Sequence, residues 1–335
     1  MAAHRLFIGA DTGNGYEHFM EELRPRGENA RVCVLRGAIG TERHLILERL
    51  AQDWQRRGRA VTCYADAGDA GRLAAVVSGG WAALDGAAPH SAEALPDDLE
   101  IDCGTALDRD ALLGRRAEAW TLLRRMHALR ARAWRCLQGA HTAWSDSAAV
   151  YAEAADGGNM MNLRLELIRW MQGAPGGRLR AFARAVTPDG MTEPADGPTR
   201  PNTLCLELPW GCDPDAVLYP VAAALRLNGI GHTAIMQPLD GGRLEGLCTD
   251  THSLTVAPQP GCETRSLRFD QDALRRERAA LAFNRAACQL WQSQAAGALA
   301  AARDCRERLE RLAGDALIPE KQEELARQAA DWFQN

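Results

Sequence analysis

Lysine is all but missing from this 335-residue chain, where Lys321 stands against 38 arginines. That one ammonium lies in the C-terminal helical region and is not at hand for a phosphate site elsewhere. Long apolar runs are missing too, and none approaches the ~20 residues that span a bilayer. Leu6–Ala10 is too short for a signal-peptide core and runs straight into Asp11, so a cytoplasmic protein is expected. The ten cysteines include no C-x-x-C pair. Several (Cys33, Cys63, Cys205) sit in strand-like apolar runs. They read as reduced, buried small hydrophobes, and neither a disulfide framework nor a metal site is expected. A net charge of −5 gives no global pull toward nucleic acid or acidic membranes. The length fits about two domains of ~150 residues.

What is present is organised around Arg31–Leu50. Val32, Val34 and Leu35 form a short β-prone run, Gly37 and Gly40 mark a turn, and Leu45, Ile46, Leu47 and Leu50 give a helix its apolar face. Strand, glycine loop and helix are the layout of a phosphate-binding P-loop, G-x-x-x-x-G-K-[S/T]. Gly37 holds the first glycine's place, Glu42 the second's, Arg43 the lysine's and His44 the hydroxyl residue's. A side chain at position 42 obstructs close approach of a phosphate, and its charge repels one by roughly 4 kcal/mol at ~4 Å and a dielectric of ~20. An arginine fork does not reproduce a lysine's point charge. Imidazole is also a poor magnesium ligand. Because Glu42 already weakens the loop's attraction for anions, Arg43→Ala is expected to leave stability nearly unchanged.

Downstream, Arg59–Tyr64 and Trp81–Leu84 read as strands, and Asp85 closes the latter. An acid ending an apolar strand is the Walker B pattern that holds a magnesium shell. Before Gly86 it is also an ordinary turn starter. Residues 108–171 turn helical, with Leu112, Trp120, Leu123, Met126, Trp134, Leu137 and Trp144 at helical spacings. Seven arginines lie between Arg115 and Arg135 beside one acid, Glu118. That face could take a phosphate or nucleic acid; a solvated face is the preferred reading, and nucleic acid is not expected as a partner.

After the linker Gln172–Arg178 the pattern repeats. RLRAFARAVTPDG matches HRLFIGADTGNG, pairing Phe7 with Phe182, Thr12 with Thr187 and Gly15 with Gly190. Thr203–Leu208 repeats the strand, Gly40 aligns with Gly211, and Leu218–Leu227 is the next helix. His232–Met236 and Leu254–Ala257 stand for the later strands, and Pro260 falls opposite Pro89. The second loop carries Leu208, Asp213, Pro214 and Asp215 at the four motif places, and no acid ends the Leu254–Ala257 strand. Glu42 and Asp213 are each expected to cap the helix end that a nucleotide would otherwise serve, Asp213 through the amides of Asp215 or Ala216. The expected architecture is tandem three-layer α/β units with mostly parallel sheets and the loop strands central, each followed by a long helical segment. The first unit is residues 1–173 (core 1–107, helices 108–173) and the second 178–335 (core 178–269, helices 270–335).

Phe7–Tyr16, Leu35–Leu45 and Asp85–His90 together resemble a bacterial family of ATPases with two tandem P-loop NTPase-type repeats. Its members look like F-x-G-x-x-T-x-x-G-F, L-K-G-G-P-G-T-G-K-S-T and D-G-x-A-P-H at these places. Asp85, Gly86, Ala88, Pro89 and His90 match, as do Gly37, Gly40 and Thr41. The resemblance covers essentially the whole chain and implies an ancestral nucleotide site at Gly37, Gly40, Thr41, Arg43, His44 and Asp85. With the motif chemistry replaced, the expected function is a non-hydrolysing pseudo-ATPase, a scaffold that binds a protein partner or itself and needs no cofactor. The alternative is a weak nucleotide-binding ATPase or small-molecule kinase using the first repeat with ATP and magnesium.

Overall fold

The computed structural model describes residues 4–194, 200–256 and 262–334. The first half runs β1 (His4–Phe7), β2 (Gly9–Thr12), β3 (Gly15–His18), β4 (Arg31–Arg36), α1 (Arg43–Arg56), β5 (Thr62–Asp66), β6 (Asp69–Ser78), β7 (Trp81–Asp85) and β8 (Leu99–Asp102). Helices α2 (Arg109–Leu113), α3 (Arg116–Ala154) and α4 (Gly157–Trp170) follow. The second half opens with β9 (Arg178–Ala181), β10 (Ala185–Thr187), β11 (Gly190–Thr192), β12 (Asn202–Glu207) and α5 (Asp215–Leu227). Strands β13 (His232–Gln237), β14 (Asp240–Cys248), β15 (His252–Thr255) and β16 (Glu263–Ser266) come next, then α6 (Gln271–Arg276), α7 (Arg278–Gly314) and α8 (Pro319–Trp332).

The chain is α/β, with two six-stranded sheets ordered β1-β5-β6-β7-β4-β8 and β9-β13-β14-β15-β12-β16. Element for element the orders are the same. Even the irregularities recur, at Tyr64–Asp66 against β6 and at Ile235–Gln237 against β14. Each sheet is mostly parallel. In each, an antiparallel meander (β5-β6-β7, β13-β14-β15) fills the middle.

That meander moves the loop strands from their expected central place. β4 and β12 lie one in from an edge, flanked by β8 and β16. The cause is β6, whose alanine-rich run, DAGRLAAVVS, has no assignment in the sequence analysis yet pairs on both sides. The start of each half also differs from expectation, because the Gly/Asn turn after Thr12 joins β2 and β3 in a hairpin. Pro260 and Ala257 lie outside the described residues. Among the described residues no disulfide joins the ten cysteines, and eight of them are buried. No helix there is long and apolar enough to cross a membrane.

Helix α1 buries Ile46, Leu47, Leu50, Ala51 and Trp54 at helical spacing and stops at Gly58, whose φ is +75°. On the same face of the first sheet lies α8, the last helix of the chain, through Ala326, Ala329 and Phe333. Reciprocally α4, from the first half, packs beside α5 of the second. Each half thus lends its final helix to the other. The long helices α3 and α7 make this exchange possible by packing antiparallel. Leu122 and Met126 meet Leu309 and Leu312 at one end, and Leu137 and Trp144 meet Cys288 and Leu299 towards the other.

Matched backbone clamps close both ends of the pair. Asp108 N donates to Ala316 O (2.8 Å) and Ile318 N to Ala106 O (2.8 Å). In the mirrored place Asp270 N donates to Ala154 O (2.8 Å) and Asp156 N to Arg268 O (2.9 Å). Asp108, Asp156 and Asp270 also cap the helices that follow them. Phe7 and Phe182, matched by sequence, bond each other reciprocally at 2.9 and 2.8 Å, which puts them on a pseudo-two-fold axis.

The loop glycines sit under the long helix of the opposite half. A Cβ at Gly40 would lie 2.4 Å from that of Ala313, and one at Gly211 would lie 2.6 Å from that of Ser147. Their φ values, +88° and +87°, also favour glycine. Gly211→Ala is expected to destabilise by about 2–4 kcal/mol, combining left-handed strain with overpacking. Urea denaturation checks this. In a Ser147→Gly background the same change should cost less, a coupling that a double-mutant cycle reads.

Candidate functional site

The loop from Gly37 to Arg43 joins β4 to α1 at the edge of the first sheet. Its interior is taken by Arg43, the first residue of α1. The guanidinium donates through Nη1 to Gly37 O (3.0 Å), Ala38 O (2.7 Å) and Thr41 Oγ1 (2.8 Å). Through Nε it donates to Asp85 Oδ1 (2.9 Å), and both side chains are mostly buried. Thr41, itself buried, donates a hydroxyl hydrogen bond to Ala38 O (2.9 Å). A phosphate loop aims amides at its ligand. Here two loop carbonyls face a cation of the protein's own.

The remaining sequence-derived site residues divide. Gly37, Gly40, Thr41, Arg43 and Asp85 come together around the loop. Asp85 serves as both turn starter, accepting from Ala87 N (2.9 Å), and partner of Arg43. His44 turns away toward Glu42, with Nδ1 3.5 Å from Oε2. Burial, with Arg72 nearby, holds the His44 imidazole below its ordinary value. Glu42 does not cap α1. It adopts φ +50° and its carboxylate takes no amide there, so that expectation fails because its backbone is spent on the turn. Asp213 does as expected, accepting from Asp215 N (3.0 Å) and pairing through its other oxygen with Arg243.

Beneath the loop lies a buried polar network that the sequence reading missed. Tyr16 Oη and His90 Nδ1 are 2.9 Å apart, and His90 Nε2 is 3.7 Å from Asp66. Asp66 accepts from Gly68 N and from Arg306 Nη1, both at 2.8 Å. Arg306 reaches Glu310 (3.1 Å), which Arg72 grips with two nitrogens at 2.5 and 2.9 Å. Asp11 takes bonds from Arg130 (2.9 Å) and Trp134 Nε1 (2.7 Å). Burial works against the Asp66 carboxylate, but Arg306 and the other donors hold it well below the usual range. Burial pushes the Tyr16 phenol up and the His90 imidazole down, so both are neutral near pH 7. Asp66 ends β5 as Asp85 ends β7, the one sequence signal that could have found it. Arg130 leaves the solvated face assigned to the arginine run and turns inward; Arg116, Arg124, Arg125, Arg132 and Arg135 are exposed as read.

Beside the loop a groove of about 1360 Å³ runs between the start of α3, the Ala87–Pro89 turn and the end of α7. The corresponding space in the second half, under Trp210, Leu208 and Pro214, holds about 280 Å³. Comparison with family models, curated proteins and solved structures finds no match to this chain.

The bonds of Arg43 overturn the expectation that its loss is neutral. Arg43→Ala leaves two carbonyls and the Asp85 carboxylate short of a partner and is expected to cost about 2–4 kcal/mol in urea denaturation. Adding Asp85→Asn should cost less than the two changes separately.

A pH dependence follows from the depressed imidazoles of His90, His18 and His44. Below about 6.5 the unfolded chain takes up protons that the folded one refuses, so stability falls as pH drops through that region. Asp66 and Glu310, both held below the usual carboxylate range, add a second loss below about pH 4. Urea midpoints from pH 7.5 to 3.5 should show both limbs. The upper limb should flatten in His90→Gln.

Proposed function

We propose that this chain is a P-loop NTPase-like protein that works by binding and not by nucleotide hydrolysis, a pseudo-ATPase serving as a scaffold for a protein partner or a second copy. The observation that carries this reading is Arg43, whose four hydrogen bonds occupy the loop interior and neutralise the acid at the Walker B place. A triphosphate would have to displace that guanidinium and meet carbonyl oxygens in its place. In the second half Pro214 and a carboxylate already bonded to a loop amide leave still less for a nucleotide. Support for a partner surface comes from α7, where Phe283 and Leu290 are 72 % and 60 % exposed.

The second reading, a weak ATPase or small-molecule kinase of the first half, draws on the open groove beside the loop. Thermal unfolding with millimolar ATP, with and without magnesium, separates the two. A ligand at ~100 times its dissociation constant stabilises by about 2.7 kcal/mol, a readable shift. No shift is expected. A magnesium-dependent shift accompanied by phosphate release would favour the enzyme.

A further inference from the structure

The groove of the first half is a product of its side chains and not of the shared backbone. Using the register set by the capping residues Asp108 and Asp270, the exposed Trp120 and Leu113 correspond to Ala282 and Arg275. Leu123, in the groove wall, corresponds to Arg285. In the loop register Ile39 corresponds to Trp210, which lines the smaller cavity. One topology, used twice, leaves a wide apolar channel once.

The chemistry of that channel is one-sided. No carboxylate lines it, while Arg109, Arg116 and His127 do, beside an Arg115 that is paired with Glu118 and Asp315. Arg109, Arg116 and His127 are exposed, and among the described residues neither the Arg109 nor the Arg116 side chain has a hydrogen-bonding or ion-pair partner. Arg43 and Arg130, deeper in, are held by Asp85 and Asp11. Between the two free guanidinium groups and the loop the wall is mainly leucine, isoleucine, methionine, alanine and tryptophan; besides His127 its uncharged polar side chains are Asn14 and Tyr16, and the Tyr16 hydroxyl is already bonded to His90. A nucleotide base or ribose, rich in donors, would find few acceptors there. A hydrocarbon chain needs none, and its burial contributes about 0.8 kcal/mol per methylene. The volume exceeds the ~300–1,000 Å³ of ordinary small-molecule pockets, which suits a long chain.

We infer that this groove binds a free single-chain anionic amphiphile, with its apolar chain along Leu112, Trp120, Leu123 and Met126 and its carboxylate or phosphate head on Arg109 and Arg116. The inference goes beyond the scaffold reading and does not use the hydrogen bonds inside the loop.

Titration calorimetry of the full chain with dodecyl phosphate and with oleate, both below their micellar concentrations, tests it. Saturable one-to-one binding and a raised Tm are expected, with dodecyl maltoside at least tenfold weaker. Arg109→Ala/Arg116→Ala should weaken the anions at least tenfold and leave the maltoside unchanged. Trp120→Ala/Leu113→Ala, at positions 51 % and 66 % exposed, should weaken all three ligands with an unchanged urea midpoint. Equal affinity for the maltoside would reduce the groove to a sticky patch and overturn the proposal. So would binding only to phosphatidylglycerol vesicles, competition by ATP, or a dimer in light scattering that Trp120→Ala/Leu113→Ala dissociates. Failure here leaves the Mg-ATP measurement untouched, so the two readings fall separately.

Discussion

The antiparallel packing of α3 on α7 is the constraint on which the rest of the molecule depends. Each helix begins in its own half, crosses the other, and hands its successor helix to the far sheet. The clamps at Asp108 and Asp270 fix where each crossing starts and ends. Neither half can leave the other without stripping a helix from its own sheet. The same packing gives Gly40 and Gly211 a physical reason to be glycine. Each glycine is pressed against the opposite long helix, at Ala313 and at Ser147. Glycines that in sequence suggest nucleotide binding are required here by packing.

Because the halves share a topology, each serves as a control for the other. Around the first loop stand Asp11, Tyr16, Arg306 and Glu310, and around the second Val186, Met191, Trp144 and Ala148 hold the same registers. Replacing buried ions by apolar groups of similar size is often neutral or stabilising. The second half carries out that exchange at Val186 and Trp144, while its own part-buried ion pair, Arg184 with Glu245, lies elsewhere. The first half nevertheless keeps its ions, and it is the half with the open groove. Asp11 holds Arg130 and the indole of Trp134, both in the groove wall, so the network acts as the rigid backing of that wall.

Much of the architecture was legible in the residues. The run from Arg31 and the helix after it, the glycine at each turn, and the pairing of Phe7 with Phe182 all follow from local pattern, and the structure puts that last pair in contact. β6 was not legible, because alanine and arginine in DAGRLAAVVS carry little strand signal and the strand is defined by its two neighbours. The exchange of α4 and α8 leaves no mark in sequence at all. The site was legible in its residues but not in their roles. In sequence Arg43 is one charge beside Glu42, whereas in the fold its effect comes from reach. A planar fork can touch Gly37, Ala38, Thr41 and Asp85 at once only after the loop has folded under it. The network partners Arg306 and Glu310 lie some 240 residues from Asp66 and Arg72, beyond any local pattern.

The two loops solve one problem with opposite charges. A helix start beside a turn leaves amides and carbonyls that need partners once no ligand supplies them. In the second half a carboxylate comes to the amides, Asp213 accepting from Asp215 N, with Arg243 balancing its charge. In the first half a guanidinium comes to the carbonyls, Arg43 bonding Gly37 and Ala38, with Asp85 balancing its charge. Position 43 decides between them. Proline at the matching place, Pro214, has no side-chain donor, so that loop is satisfied from its acid; arginine has five donors, so this loop turns its acceptors inward and leaves Glu42 outside the cap. A strand-to-helix loop with no ligand therefore closes in whichever sense the residue at the start of its helix allows.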